Sequence, residues 1–234
     1  MLKTLICVLL VISISFADDI TKSFKGLKEV YVEYLQGIGH VTVLYNPTIT
    51  KVIDKEEYSK YYDDTIKVVL QTKIDAKGTN EFIIKYWQGF SYDPLFSFSP
   101  RGKKDNEIDS LGCTTLIIPG DGYIYTAGHT NSKFDVRQKF ELVGNKFKEV
   151  KQAYYYVGLK TETNQSITLY ASKKMKKEVT RLRKGTKIEV LLNESNDYLI
   201  KTEFGLIGWY HMNYLAPAGV EHKSSIKGIF VNGD

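Results

Sequence analysis

Residues 167–215, ITLYASKKMKKEVTRLRKGTKIEVLLNESNDYLIKTEFGLIGWYHMNYL, leave this chain the fewest folding options. Gly185 supplies a chain reversal, and the alternation that follows places Ile188 and Val190 on one face of a strand. The segment reads as short strands joined by tight turns, expected to pack as a compact β module.

The remainder reads as strands and turns. Residues 30–35 and 40–45 are strands separated by Gln36-Gly37-Ile38-Gly39 and stopped by Asn46-Pro47. Residues 55–62 are charged and tyrosine-rich, either a short helix or a loop. Residues 66–74 and 81–87 form a hairpin through Lys77-Gly78-Thr79-Asn80. Residues 88–109 read as a long surface loop whose Phe90, Tyr92, Phe96 and Phe98 line one face of an irregular strand or form an exposed aromatic platform. Residues 114–118 and 123–127 are strands around Pro119-Gly120-Asp121-Gly122, whose glycines permit positive φ. Residues 136–143 and 146–156 flank Gly144-Asn145, the clearest hairpin signal in the chain; Phe140 and Leu142 share a face that Phe147 completes. The expected fold is therefore mainly β: a β-rich N-terminal domain over 18–163, sandwich or curved meander sheet, and a small β-barrel over 164–216. The tail, 217–234, holds a possible extra strand over 225–231.

Residues 1–17 carry Lys3, an apolar run and Ser15-Phe16-Ala17, the pattern of a secretory signal peptide cut after Ala17. The run is shorter than the roughly 18 apolar residues of a membrane span, and no later segment reaches that length. The expectation is an extracytoplasmic protein, periplasmic or secreted, with no transmembrane segment. Removing one lysine with the leader lowers the net charge from +5 to +4. That balance is too mild for the strongly basic stripe of a nucleic-acid binder, so no nucleic-acid partner is expected. Only Cys113 then remains, so stability has to come from burial rather than a disulfide.

Two elements carry a family resemblance. Val179-Thr180-Arg181-Leu182-Arg183-Lys184-Gly185-Thr186-Lys187-Ile188-Glu189-Val190-Leu191 resembles the central strand-turn-strand of bacterial SH3-like (SH3b) domains, and Gly205-Leu206-Ile207-Gly208-Trp209-Tyr210 resembles the closing Gly-x-x-Gly-Trp strand. The match covers about 50 residues. The first strand departs from it: Thr168-Leu169-Tyr170-Ala171-Ser172 stands where the family carries an arginine-serine pair and a proline. The resemblance implies an SH3-like barrel that recognises an envelope component, peptidoglycan or a surface protein, through aromatics near the first strand. Here those are Tyr170, Tyr198, Trp209 and Tyr214, with Trp209 also readable as a core plug. Lys173 and Lys174 open the densest basic region, either a patch for an anionic polymer or a solvated loop.

Catalytic chemistry has one candidate. Ser110-Leu111-Gly112-Cys113 resembles the nucleophile motif of L,D-transpeptidases, but His40 is the nearest upstream histidine and Thr114-Thr115 follow the cysteine, so the histidine and arginine partners are missing. A Cys-His peptidase would need His129 to approach Cys113 across the Gly120 turn. Without a base a thiol is a weak nucleophile near neutral pH, and a buried structural cysteine is the favoured reading. The four histidines show no ligand spacing, so no metal site and no cofactor are expected. The sequence favours an exported, non-catalytic binding protein over a cysteine-dependent wall enzyme or a purely structural domain pair.

Overall fold

The computed structural model describes residues 20, 22–34, 39–54, 66–88, 94–102, 106–128, 130, 132–213 and 224–230. The signal-peptide reading and the 55–62 segment lie outside them, as do Phe90, Tyr92, His129 and Tyr214. The described residues are mainly β, arranged in three sheets.

The first sheet contains β1 (Lys28–Tyr34), β2 (Gly39–Tyr45), β8 (Thr115–Ile118), β9 (Tyr123–Gly128), β10 (Val136–Val143) and β11 (Lys146–Glu149), in the order β1-β2-β8-β9-β10-β11. The second is a five-stranded antiparallel meander of β3 (Thr50–Ile53), β4 (Ile66–Lys73), β5 (Glu81–Gln88), β6 (Pro94–Pro100) and β7 (Asp109–Gly112). Since the whole meander intervenes between β2 and β8, those two strands run parallel, with Val43 opposite Leu116. A parallel pair needs a long crossover, and here the crossover is an entire sheet. The inner faces of both sheets bury one core, in which Val41, Val43, Leu116, Ile118 and Ile124 meet Leu70, Ile84, Tyr86, Phe96 and Phe98.

Continuous apolar runs in these strands have a local cause. Val69 and Ile83 face away from the common core and pack on Ile53. On the other side of the molecule, Leu44 and Ile117 are covered by Ile20, Phe24 and Leu27. A strand covered on both faces loses the polar alternation of a half-solvated one.

The hairpin at Gly144-Asn145 forms as its sequence predicts, pairing Val143 with Lys146 and Leu142 with Phe147, and Phe140, Leu142 and Phe147 pack on the core. Its second strand ends at Glu149 instead of running to residue 156. The long-loop reading of 88–109 needs correction: β6 lies between β5 and β7, with Phe96 and Phe98 fully buried. Pro94 and Pro100 sit at its two ends, where proline interrupts least of the ladder.

The third sheet contains β12 (Tyr155–Glu162), β13 (Ile167–Tyr170), β14 (Glu178–Leu182), β15 (Lys187–Glu194), β16 (Asp197–Thr202) and β17 (Ile207–His211), in the order β12-β15-β16-β17-β13-β14. Its inner face is Val157, Ile167, Leu169, Ile188, Val190, Tyr198 and Ile200. The sheet starts at Tyr155, ahead of the turn-rich stretch 160–165. Thr163 holds the Gly185 turn in place: the Gly185 and Thr186 amides donate to its carbonyl and its hydroxyl, and its own amide donates to the Thr186 carbonyl. Gly208 lets β17 press against β13, where a Cβ would stand 2.8 Å from the Leu169 Cβ and 3.1 Å from the Tyr170 carbonyl oxygen.

The tail is the second correction. It makes one bridge, Thr163 to Ile226, and then turns at Gly228, whose φ is +76°. The turn directs both Ile226 and Ile229 into the core of the third sheet. Phe134, from the segment between β9 and β10, enters the same core, and the Phe230 amide donates to the Lys133 carbonyl at 2.8 Å. The third sheet is thus closed below by the tail and tied to the first.

Candidate functional site

Strand register assembles an aromatic row on the outer face of the third sheet. Tyr170 of β13 is the Cα partner of Trp209 on β17; Trp209 is opposite Leu199 on β16, Leu199 opposite Leu192 on β15, and Leu192 opposite Tyr156 on β12. Directly opposed residues in antiparallel strands share a face, so these five side chains form one rung across five strands. At about 4.8 Å per strand the rung spans roughly 19 Å. A bulge between Val190 and Leu192 brings Leu192 to the outer side although Val190 faces the core.

The row is half open to solvent. Tyr156 is 48% exposed, and Tyr154, just before β12, is 46% exposed. The Tyr154 and Trp209 rings lie 6.3 Å apart at an interplanar angle of 40°. The Lys173 ammonium is 5.4 Å from the Trp209 ring centre and 5.7 Å from that of Tyr154, and it pairs with Glu194. The hydrogen bond that Lys173 donates to Glu194 raises the Lys173 pKa above its ordinary value, so this side chain is a cation at neutral pH. At the other end the Arg137 guanidinium sits 5.3 Å from the Tyr156 ring centre.

Paired polar and charged side chains border the row. On one side His211 Nδ1 and Asp197 Oδ1 are 2.7 Å apart, next to the Lys173–Glu194 pair. On the other, Lys201 donates to Glu189 at 3.2 Å. An apolar strip inside a polar rim with near-balanced charge has the anatomy of a recognition surface for a polar, uncharged partner.

The six residues singled out from the sequence separate clearly. Tyr170, Trp209 and Lys173 come together in the row. Trp209 is half-buried on the outer face and does not plug the core. Tyr198 is the plug: it is 0% exposed, packed edge-on to Phe134 at 6.4 Å, and no ligand reaches its ring. The cause is strand parity, since Tyr198 and Leu199 point to opposite faces. Lys174 is exposed and joins no ion pair or ring contact among the described residues. Tyr214 lies outside the described residues. Tyr154, Tyr156, Leu192 and Leu199 were missed, although Tyr154-Tyr155-Tyr156 was visible as an aromatic run.

Cys113 sits in the common core of the first two sheets at 2% exposure, and burial pushes its thiol pKa up. A thiol kept protonated in this way should resist alkylation: at pH 8 the native protein should label with iodoacetamide at least about a hundredfold more slowly than the urea-unfolded chain, by the usual gap between native and open populations. Labelling at comparable rates would place the thiol at the surface.

Among the described residues no group of three or more His, Cys, Asp or Glu is placed to hold a metal ion, and no helix is long and apolar enough to cross a membrane. In comparisons with protein-family models, with curated proteins and with solved structures, the chain matches none of them.

Proposed function

We propose that this chain is an exported, non-enzymatic binding protein whose C-terminal sheet is an SH3-like module for the glycan of the cell envelope, with peptidoglycan the foremost target. The observation that carries the reading is the rung Tyr156-Leu192-Leu199-Trp209-Tyr170 with Tyr154 lying over it. Flat rings stack on the apolar faces of sugar rings, while paired charges at the rim exchange hydrogen bonds with hydroxyl and amide groups. Rigid aromatics give large contact area at small entropic cost. The Gly185 turn, the Gly208-Trp209 approach and the antiparallel order of β15, β16 and β17 support the SH3-like assignment. Export is supported by the leader pattern of residues 1–17. The buried Cys113 thiol speaks for binding over cysteine chemistry.

Sedimentation with purified peptidoglycan tests the proposal. The wild-type protein should pellet with the polymer, and Trp209→Ala should weaken binding by about 2 kcal/mol, roughly thirtyfold. Lys174→Ala should stay within about twofold of wild type, as expected of an exposed rim charge. A Trp209→Ala protein that pellets like wild type removes the row from the account.

A structural role is favoured by a separate observation: Phe134 and the Phe230–Lys133 hydrogen bond tie the third sheet to the first. It predicts that isolated residues 155–230 fail to fold.

A further inference from the structure

A cleft of 710 Å³ opens where β12, β15 and the turn after β16 meet the tail at Lys227 and Gly228. We infer that it is a second binding site, for a short peptide that carries two carboxylates and one free ammonium. Seven charged residues line the cleft, and they divide into two sets. Lys201 pairs with Glu189 at 3.2 Å and Lys227 pairs with Glu162 at 3.1 Å, so four of them neutralise one another. Lys160, Lys187 and Glu203 are exposed and make no ion pair among the described residues. The cleft therefore offers two ammonium groups and one carboxylate, and its complement carries two carboxylates and one ammonium.

Register gives the spacing. Lys160 is opposite Glu189, and Glu162 is opposite Lys187, so Lys160 and Lys187 are diagonal neighbours across β12 and β15. Their stems stand roughly 7–8 Å apart, a separation from which two flexible ammonium arms converge on the main-chain and side-chain carboxylates of one C-terminal glutamate. Glu203 follows Thr202, the partner of Ile188 on the next strand, and faces the peptide's amino end. The tail fixes the remaining wall: the Lys227 amide donates to the Glu162 carbonyl at 3.1 Å, and Thr161 donates to the Lys227 carbonyl at 2.9 Å. The lining favours an anionic ligand by charge, since a neutral one gains nothing from the two exposed lysines and a cationic one adds repulsion.

The site shares the Lys201–Glu189 pair with the rim of the aromatic row but none of the row's five residues, so the two can be tested separately. Isothermal titration of the full chain with the tripeptide Ala-Ala-Glu should give saturable binding that weakens as salt screens the pairs. Ala-Ala-Gln, which lacks one carboxylate, and N-acetyl-Ala-Ala-Glu, which lacks the ammonium, should each bind about fivefold more weakly, the size of one partly exposed ion pair. Lys160→Gln with Lys187→Gln should erase the preference for Glu over Gln, while Trp209→Ala should bind Ala-Ala-Glu as wild type does. Equal affinity for the three peptides overturns the inference, as does absence of binding by a protein shown to be folded. Loss of peptidoglycan sedimentation with retained tripeptide binding counts against the row alone.

Discussion

A chain carrying Ile226→Ala and Ile229→Ala should lose about 4–10 kcal/mol of stability, since each buried isoleucine truncated to alanine costs roughly 2–5 kcal/mol. Both side chains come from the C-terminal tail, yet they are 0% and 2% exposed in the core of the third sheet. Typical domains are stable by only about 5–15 kcal/mol, so the double variant should leave the third sheet largely unfolded at ambient temperature. Urea denaturation followed by circular dichroism checks this. A midpoint within experimental error of wild type would mean that the tail lies outside the core. Lys227→Ala, which removes an exposed partner of Glu162, should change stability by less than about 1 kcal/mol, separating burial from charge.

Tyr198→Ala should cost about 3–5 kcal/mol, the range for large aromatic truncations in a core. The ring is fully buried among Leu169, Val190 and Ile200 and touches Phe134, which belongs to the segment joining two strands of the first sheet. Its removal opens a cavity where the two parts of the molecule meet, so the unfolding transition should also broaden. Tyr198→Phe retains the ring and should cost only about 1 kcal/mol for the lost hydroxyl. Binding to peptidoglycan should survive Tyr198→Phe unchanged, because this side chain faces away from the row. A loss of binding without loss of stability would return Tyr198 to the recognition surface.

Local signals in the sequence carried far. Gly144-Asn145 fixed a hairpin and Gly185 a turn because only a few backbone conformations join strands so tightly, and glycine is the residue that adopts them. Alternation around Ile188 and Val190 identified a core face correctly. What local pattern lacks is the partner of each strand. The parallel pairing of β2 with β8 joins residues more than 70 positions apart, and nothing near Val43 announces Leu116. The same gap hid the row: Tyr156, Leu192 and Leu199 become neighbours only through register, and the Val190/Leu192 bulge reverses the parity that a period-two reading assigns. Tyr170 and Trp209 were singled out as aromatics near the first strand, and only register shows them paired. Tyr198 was misassigned for a related reason: an aromatic near a groove looks alike in sequence whichever face it takes. Phe96 and Phe98 do share one face of a strand, as one sequence reading had it, while the flanking prolines mark strand ends instead of a loop.

The outer row is the central claim, and the indole N–H of Trp209 reports on it most directly. In a ¹⁵N-labelled protein, with that cross-peak assigned through Trp209→Phe, soluble peptidoglycan fragments should shift it progressively and saturably, with the Tyr170 and Lys173 amides moving in step. Binding of the fragments with all three signals unmoved would place the recognition surface elsewhere and contradict the account.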